Sequence, residues 1–139
     1  MHHWNSTLLN NGYRLTPSRQ AVVEILASSQ KVLDAQTVFD LARKEHPKLG
    51  LMSVYRTLEK LEELGLIQKV HQPDGCHGYI AAPDGHQHLL LCLGCGRAEY
   101  FEGEQLESFF NGIGVQKQYR IQEHWLQLFG YCASCREKA

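Results

Sequence analysis

The chain has 139 residues, 43% hydrophobic and 21% charged, with a formal net charge of −1. That balance suits a folded globular chain rather than a disordered one, and it excludes a bulk electrostatic nucleic-acid binder, so any DNA contact has to come from a local patch. The longest apolar run is only Leu89 to Leu93, far short of the ~18 residues a membrane helix needs. The opening Met1-His2-His3-Trp4 lacks the basic-then-apolar order of a secretory signal, so a cytoplasmic location is expected by default. Residues 1–83 hold nine Lys/Arg against eight Asp/Glu and residues 84–139 five against seven, a difference too mild to assign a role to either half.

In chain order, Thr16-Pro17 marks a helix start, with Thr16 as cap and Pro17 at the first helical position. The apolar set Val22, Val23, Ile25 and Leu26 follows and ends near Ser28-Ser29. Asp34 is the next cap, before a helix carrying Val38, Phe39, Leu41 and Ala42 that Pro47 must stop. A third helix, with Ser53 as candidate cap, places Leu51, Val54, Leu58, Leu61 and Leu64 at helical spacing, and Gly65 is positioned to end it. Leu66–Val70 and Gly78–Ala82 flank Pro73-Asp74-Gly75 as a hairpin. Three short helices and a hairpin are the order of a winged helix-turn-helix.

Pro83-Asp84-Gly85 reads as a hinge, giving two domains, 1–83 and 84–139. Beyond it, His88–Leu93 and Arg97–Phe101 read as strands, Glu104–Phe110 as a helix and Tyr119–Phe129 as a longer strand region, so the second half is α/β and the whole chain α+β.

Four of the five cysteines form two Cys-x-x-Cys pairs, Cys92/Cys95 and Cys132/Cys135. Four thiolates on two tight turns fit one tetrahedral zinc and leave no open position, which makes the site structural rather than catalytic; a redox dithiol is the alternative. His86, His88, Glu107 and His124 form a second set. His86 and His88 share a face if both lie on a strand, and the set suits Zn²⁺, Fe²⁺, Mn²⁺ or Co²⁺; scattered surface histidines are the competing reading. His71, Cys76 and His77 are a third set, possessing the thiol that favours zinc over iron, against an exposed turn with an incidental cysteine.

On the third helix Arg56 and Lys60 face away from the apolar stripe, with Tyr55 and Thr57 flanking it and Ser53 near its start. Arg reads guanine edges or phosphates, and Tyr and Ser offer phosphate hydrogen bonds. Arg14 and Arg19 bracket the start of the earlier helix and could hold backbone. Glu59, Glu62 and Glu63 on the same helix argue instead for an ordinary solvated face.

Arg14-Leu15-Thr16-Pro17-Ser18-Arg19, Ser53-Val54-Tyr55-Arg56-Thr57-Leu58, His86-x-His88, Cys92-x-x-Cys95-Gly96, His124 and Cys132-x-x-Cys135 together resemble the ferric uptake regulator superfamily of bacterial metal sensors over nearly the whole chain. The resemblance implies an N-terminal winged helix, a C-terminal α/β dimerisation domain, and a homodimer that binds a palindromic double-stranded DNA operator when metallated. It implies DNA contacts at Tyr55 and Arg56, structural zinc on the four cysteines, and a regulatory metal on His86, His88, Glu107 and His124. Many relatives interleave further histidines and an acidic ligand as a hinge sensor; here Gln87, Leu89, Ile80 and Ala81 occupy those stretches. The cysteine near the hinge makes the chain look like the zinc uptake regulator branch, with His71, Cys76 and His77 as a second sensory set. Zinc is therefore the expected regulatory metal, with iron or manganese as alternatives, and neither a small-molecule substrate nor enzymatic activity is expected. A metal-dependent hydrolase using Glu107 as base, or a zinc-stabilised interaction module, are the rivals from other classes.

Overall fold

The computed structural model describes residues 2–137. The chain divides into two compact units, one ending at Ala82 and one beginning at Pro83. The first contains α1 (His2–Asn10), α2 (Pro17–Ser28), α3 (Ala35–Arg43), α4 (Leu51–Glu63), β1 (Ile67–His71) and β2 (His77–Ala81). The second contains β3 (His88–Cys92), β4 (Ala98–Phe101), α5 (Glu104–Lys117) and β5 (Gln127–Gly130). No helix of the described residues is long and apolar enough to cross a membrane.

Local chemistry sets several helix ends in the first unit. Thr16 accepts a hydrogen bond from the Arg19 N–H at 3.2 Å with Pro17 beginning α2, and Asp34 Oδ1 accepts one from the Thr37 N–H at 2.7 Å to start α3. α3 ends at Arg43, the residue whose carbonyl the ring of Pro47 would strike if the helix ran on. At the end of α4, Gly65 adopts φ +72°, its N–H bonds the Glu62 carbonyl and the Leu66 N–H bonds the Leu61 carbonyl. That paired closure requires a left-handed residue, and glycine adopts it without a Cβ penalty.

The structure departs from the sequence expectation at two places in this unit. Ser53 is not the cap of α4: the helix begins two residues earlier, on extended Gly50, and the Ser53 N–H bonds the Gly50 carbonyl from inside the first turn. α1 was not anticipated at all. Its Asn, Ser and Thr content is poor for a helix, and it persists because Trp4 and Leu8, one turn apart, bury themselves in the core formed with Val22, Leu26, Val38, Leu58 and Leu61. Tertiary packing, not propensity, holds a helix this short.

β1 and β2 form an antiparallel hairpin in the register Ile67↔Ala81 to His71↔His77. Leu33, between α2 and α3, exchanges two backbone bonds with Tyr79 and ties the hairpin back to the helices.

In the second unit β3 is central, antiparallel to β4 and parallel to β5. The helix is longer than its expected Glu104–Phe110 span, continuing to Lys117, where Gln118 turns left-handed. The expected Tyr119–Phe129 strand reduces to Gln127–Gly130. Gln127 to Gly130 pair with Leu89 to Cys92, and β3 begins at His88, so residues 119–125 run beyond the start of the strand they would have to pair with.

Leu61 is fully buried and Met52 is 63% exposed on the same helix. Leu61→Ala is expected to cost about 2–5 kcal/mol and Met52→Ala no more than about 0.5 kcal/mol. Urea unfolding followed by fluorescence of buried Trp4 separates the two.

Candidate metal centres and nucleic-acid face

Cys92 closes β3, and Cys95 sits on the turn that leads to β4, held by bonds from Gly96 N–H to the Cys92 carbonyl and from Cys92 N–H to the Arg97 carbonyl. The second pair follows β5 on a turn closed by Cys135 N–H to the Cys132 carbonyl. Because β5 runs parallel to β3, with Cys92 opposite Gly130, the two turns emerge at the same sheet end. All four sulfurs lie within 4.8 Å of one another, and Cys95 Sγ and Cys132 Sγ are 3.8 Å apart. Tetrahedral bonds of about 2.3 Å to one ion would separate sulfurs by about 3.8 Å, so the residues fit a thiolate-bound zinc. The Cys132 N–H donates to Cys92 Sγ at 3.3 Å. That bond, with the Cys95 N–H, lowers the Cys92 thiol to about 6, whereas the Cys132 side chain pushes Cys135 up to about 12. A redox dithiol needs two sulfurs; here four converge.

At the opposite end of β3 the histidines meet. His88 is the first residue of the strand and 4% exposed, while His86 lies in the bend before it rather than on it. His124 likewise precedes β5 instead of lying within the last strand. The His86 and His124 Nε2 atoms are 3.0 Å apart, and those of His88 and His124 3.4 Å. Bonds of about 2.1 Å to a tetrahedral ion would space nitrogens about 3.4 Å apart, so the triad also fits a divalent metal. Glu107, in the first turn of α5, places Oε1 3.8 Å from His86 Nε2, beside the triad but outside its closest grouping. Phe110 stacks 4.6 Å from the His124 ring and Phe101 5.6 Å from that of His88. A Cβ on Gly103 would come within 2.9 Å of the His88 ring, so only glycine lets the chain pass this close. Burial, then His124 and His86, lower the His88 pKa below the ordinary imidazole value, with Glu107 opposing; the shift favours the neutral form that ligates metal.

The third set does not assemble. His71 and His77 face each other across the hairpin with rings 6.1 Å apart, but exposed Cys76 does not converge with them. Among the described residues, only the cysteine and histidine groups above bring three or more metal-binding atoms together. Leu89 and Ile80 are buried core and Gln87 is half-buried, so Leu89 and Ile80 supply no metal ligand.

On α4, Arg56 and Tyr55 are exposed and Ser53 is half-buried. Thr57 is corrected: it is 2% exposed, and its hydroxyl donates to the Ser53 carbonyl at 2.9 Å, so it offers nothing to a ligand at the surface. The Lys60 ammonium lies 5.6 Å from the Tyr13 ring centre and the Arg19 guanidinium 5.8 Å from it. Arg19 also donates to the Arg14 carbonyl at 2.8 Å, and Arg14 is exposed. Tyr13 was missed in the sequence; its one signal was its place directly before Arg14. It gathers cations of α2 and α4 on one ring.

The fold and these groups define a winged-helix protein with a cysteine- and histidine-rich second unit. The ferric uptake regulator family model matches residues 10–129, and the chain belongs to that family of metal-dependent transcription regulators. It is similar to the ferric uptake regulation protein of Bacillus subtilis, 34% identical, covering 94% of this chain and 91% of the relative. The structure of the Helicobacter pylori ferric uptake regulator, described as having three functional metal binding sites, matches with a TM-score of 0.75 at 24% identity over 97% of this chain and 90% of that one. A zinc uptake regulator complexed with zinc and DNA matches with a TM-score of 0.74 at 22% identity over 99% and 93%; at these identities the two structures speak to fold alone. Family membership removes the hydrolase reading, because the family's members are regulators and not enzymes.

Cys76 is exposed while the other four thiols converge. A thiol reagent is therefore expected to label one cysteine promptly and the remaining four only after a strong zinc chelator is added. Prompt labelling of several thiols in a Cys76→Ser chain would count against a metallated cluster.

Proposed function

We propose that the chain is a zinc-responsive transcription regulator that binds a palindromic operator as a homodimer. In this reading residues 1–83 contact DNA, and residues 84–139 dimerise and bind metal in the cytoplasm. The observation that carries it is the convergence of the His86, His88 and His124 Nε2 atoms, with Glu107 beside them, at a place separate from the four cysteines.

The two groups differ in what they can do. Four thiolates form a closed set suited to a permanent structural zinc. Three imidazoles and a carboxylate form a set with weaker donors, and the His86 and Glu107 side chains are more than half exposed, as an exchangeable site requires. A bound divalent ion supplies charge and fixed bond directions at that point. His86 and His88 would then hold the start of β3, Glu107 the start of α5, and His124 the stretch before β5. Fastening these segments changes the population of DNA-competent dimers, with a coupling of about 1–3 kcal/mol typical of such switches.

Homodimerisation is supported by the second unit's exposed large apolar side chains, among them Phe109, Val115, Tyr119, Trp125, Leu128 and Phe129, more than a monomer normally leaves in water. Operator contact falls to Arg56 and Tyr55 on α4, with Arg14, Arg19 and Lys60 holding phosphates around Tyr13. Zinc is favoured by the nitrogen-rich set at tetrahedral spacing. Iron(II) is the second reading, favoured by the name of the Bacillus subtilis relative.

Operator binding by purified protein is measured while free zinc or free iron(II) is raised separately. Wild type is expected to switch on with zinc, His86→Ala to keep its chelator-resistant zinc but lose the switch, and Arg56→Ala to lose operator binding with both metal groups filled. A switch driven by iron(II) alone refutes zinc sensing, and an intact switch in His86→Ala removes the triad from the mechanism. Tyr13→Ala is expected to weaken operator binding and flatten its salt dependence, because the cations it gathers lose their position.

A further inference from the structure

We propose that the β1–β2 hairpin carries an additional divalent-metal site formed by the imidazoles of His71 and His77. The two residues are directly opposite in the register. The ladder bonds Ala82 N–H to the Leu66 carbonyl and Gln72 N–H to the Cys76 carbonyl set the alternation, which makes His71/His77 a non-hydrogen-bonded pair. Facing side chains approach most closely in such pairs, whose Cα atoms are about 4.5 Å apart.

Both imidazoles are exposed, with ring centres 6.1 Å apart and planes tilted by 58°. In the histidine triad the ring centres lie 4.7 to 5.0 Å apart. Two imidazoles on one ion with bonds of about 2.1 Å bring their centres to about 5 Å, so a small side-chain rotation suffices. Tyr79 stands edge-on to His77 on the same face. Lys69, two residues before His71 on β1, is drawn to the Tyr79 ring at 5.9 Å and to a Glu62 carboxylate oxygen at 4.0 Å, which offsets its repulsion of an ion.

Cys76 does not belong to the site. Adjacent residues of an extended strand point to opposite faces, and its N–H is tied to Asp74 Oδ1 at 2.9 Å in the turn. Two imidazoles with open remaining positions select a borderline first-row cation such as zinc over magnesium or calcium. Such an ion ties the two strands together at the tip and stabilises the hairpin in proportion to its occupancy.

The test uses the full chain carrying His86→Ala and His124→Ala, which removes the triad, with its chelator-resistant metal in place. Zinc is titrated by calorimetry near neutral pH. One further ion per chain is expected, absent in His71→Ala and in His77→Ala, and retained in Cys76→Ser; magnesium produces no binding heat. Circular dichroism checks that each variant keeps its fold, as substitution of exposed side chains should allow. No further ion, unchanged uptake in either histidine variant, or loss of uptake in Cys76→Ser each overturns the two-imidazole site.

Discussion

Parallel pairing of β3 with β5 brings upstream residues of one strand beside upstream residues of the other, and downstream beside downstream. With Leu89 opposite Gln127 and Cys92 opposite Gly130, His124 arrives beside His88, and Cys132 beside Cys92. An antiparallel pairing would exchange the ends and set cysteines against histidines. Parallel neighbours need a crossover, and α5 lies on that crossover, bringing Glu107 and Phe110 to the histidine end. Both metal groups therefore depend on one strand register. His88 and Cys92 also share a face of β3 by period-two alternation, with Leu90 between them.

The chemistry of the two groups diverges from this common frame. At the cysteine end, backbone N–H groups of the turns point at sulfur and stabilise the thiolate of Cys92. At the histidine end, aromatic rings and a bare glycine shape the walls around His88 and His124, and burial lowers the His88 pKa in the direction of the neutral imidazole. Under the proposed function, the first arrangement retains its ion and the second exchanges it, a division that follows from donor type and exposure.

The first unit is organised by local rules to a greater extent. Caps at Thr16 and Asp34 and the glycine closure at Gly65 act over a few residues. The surface that would meet DNA is less local: Arg19 from α2 and Lys60 from α4 converge on Tyr13, and Thr57 turns inward where a helical wheel had placed it at the border.

The residues alone determined the α+β class, the helix starts at Thr16 and Asp34, the hairpin, and the pairing of cysteines by their Cys-x-x-Cys spacing, because caps, turns and short-range periodicity are written within a few positions. They also carried the family resemblance. Only the tertiary structure decided that α1 exists, that α5 runs to Lys117, and that most of 119–129 is not strand. It alone separated Cys76 from His71 and His77, and brought His124 to His86 across a sequence separation of 38 positions. The reason is physical: a short helix or a four-residue strand is stable only against a partner, and the partner's position is a long-range property that no local pattern contains.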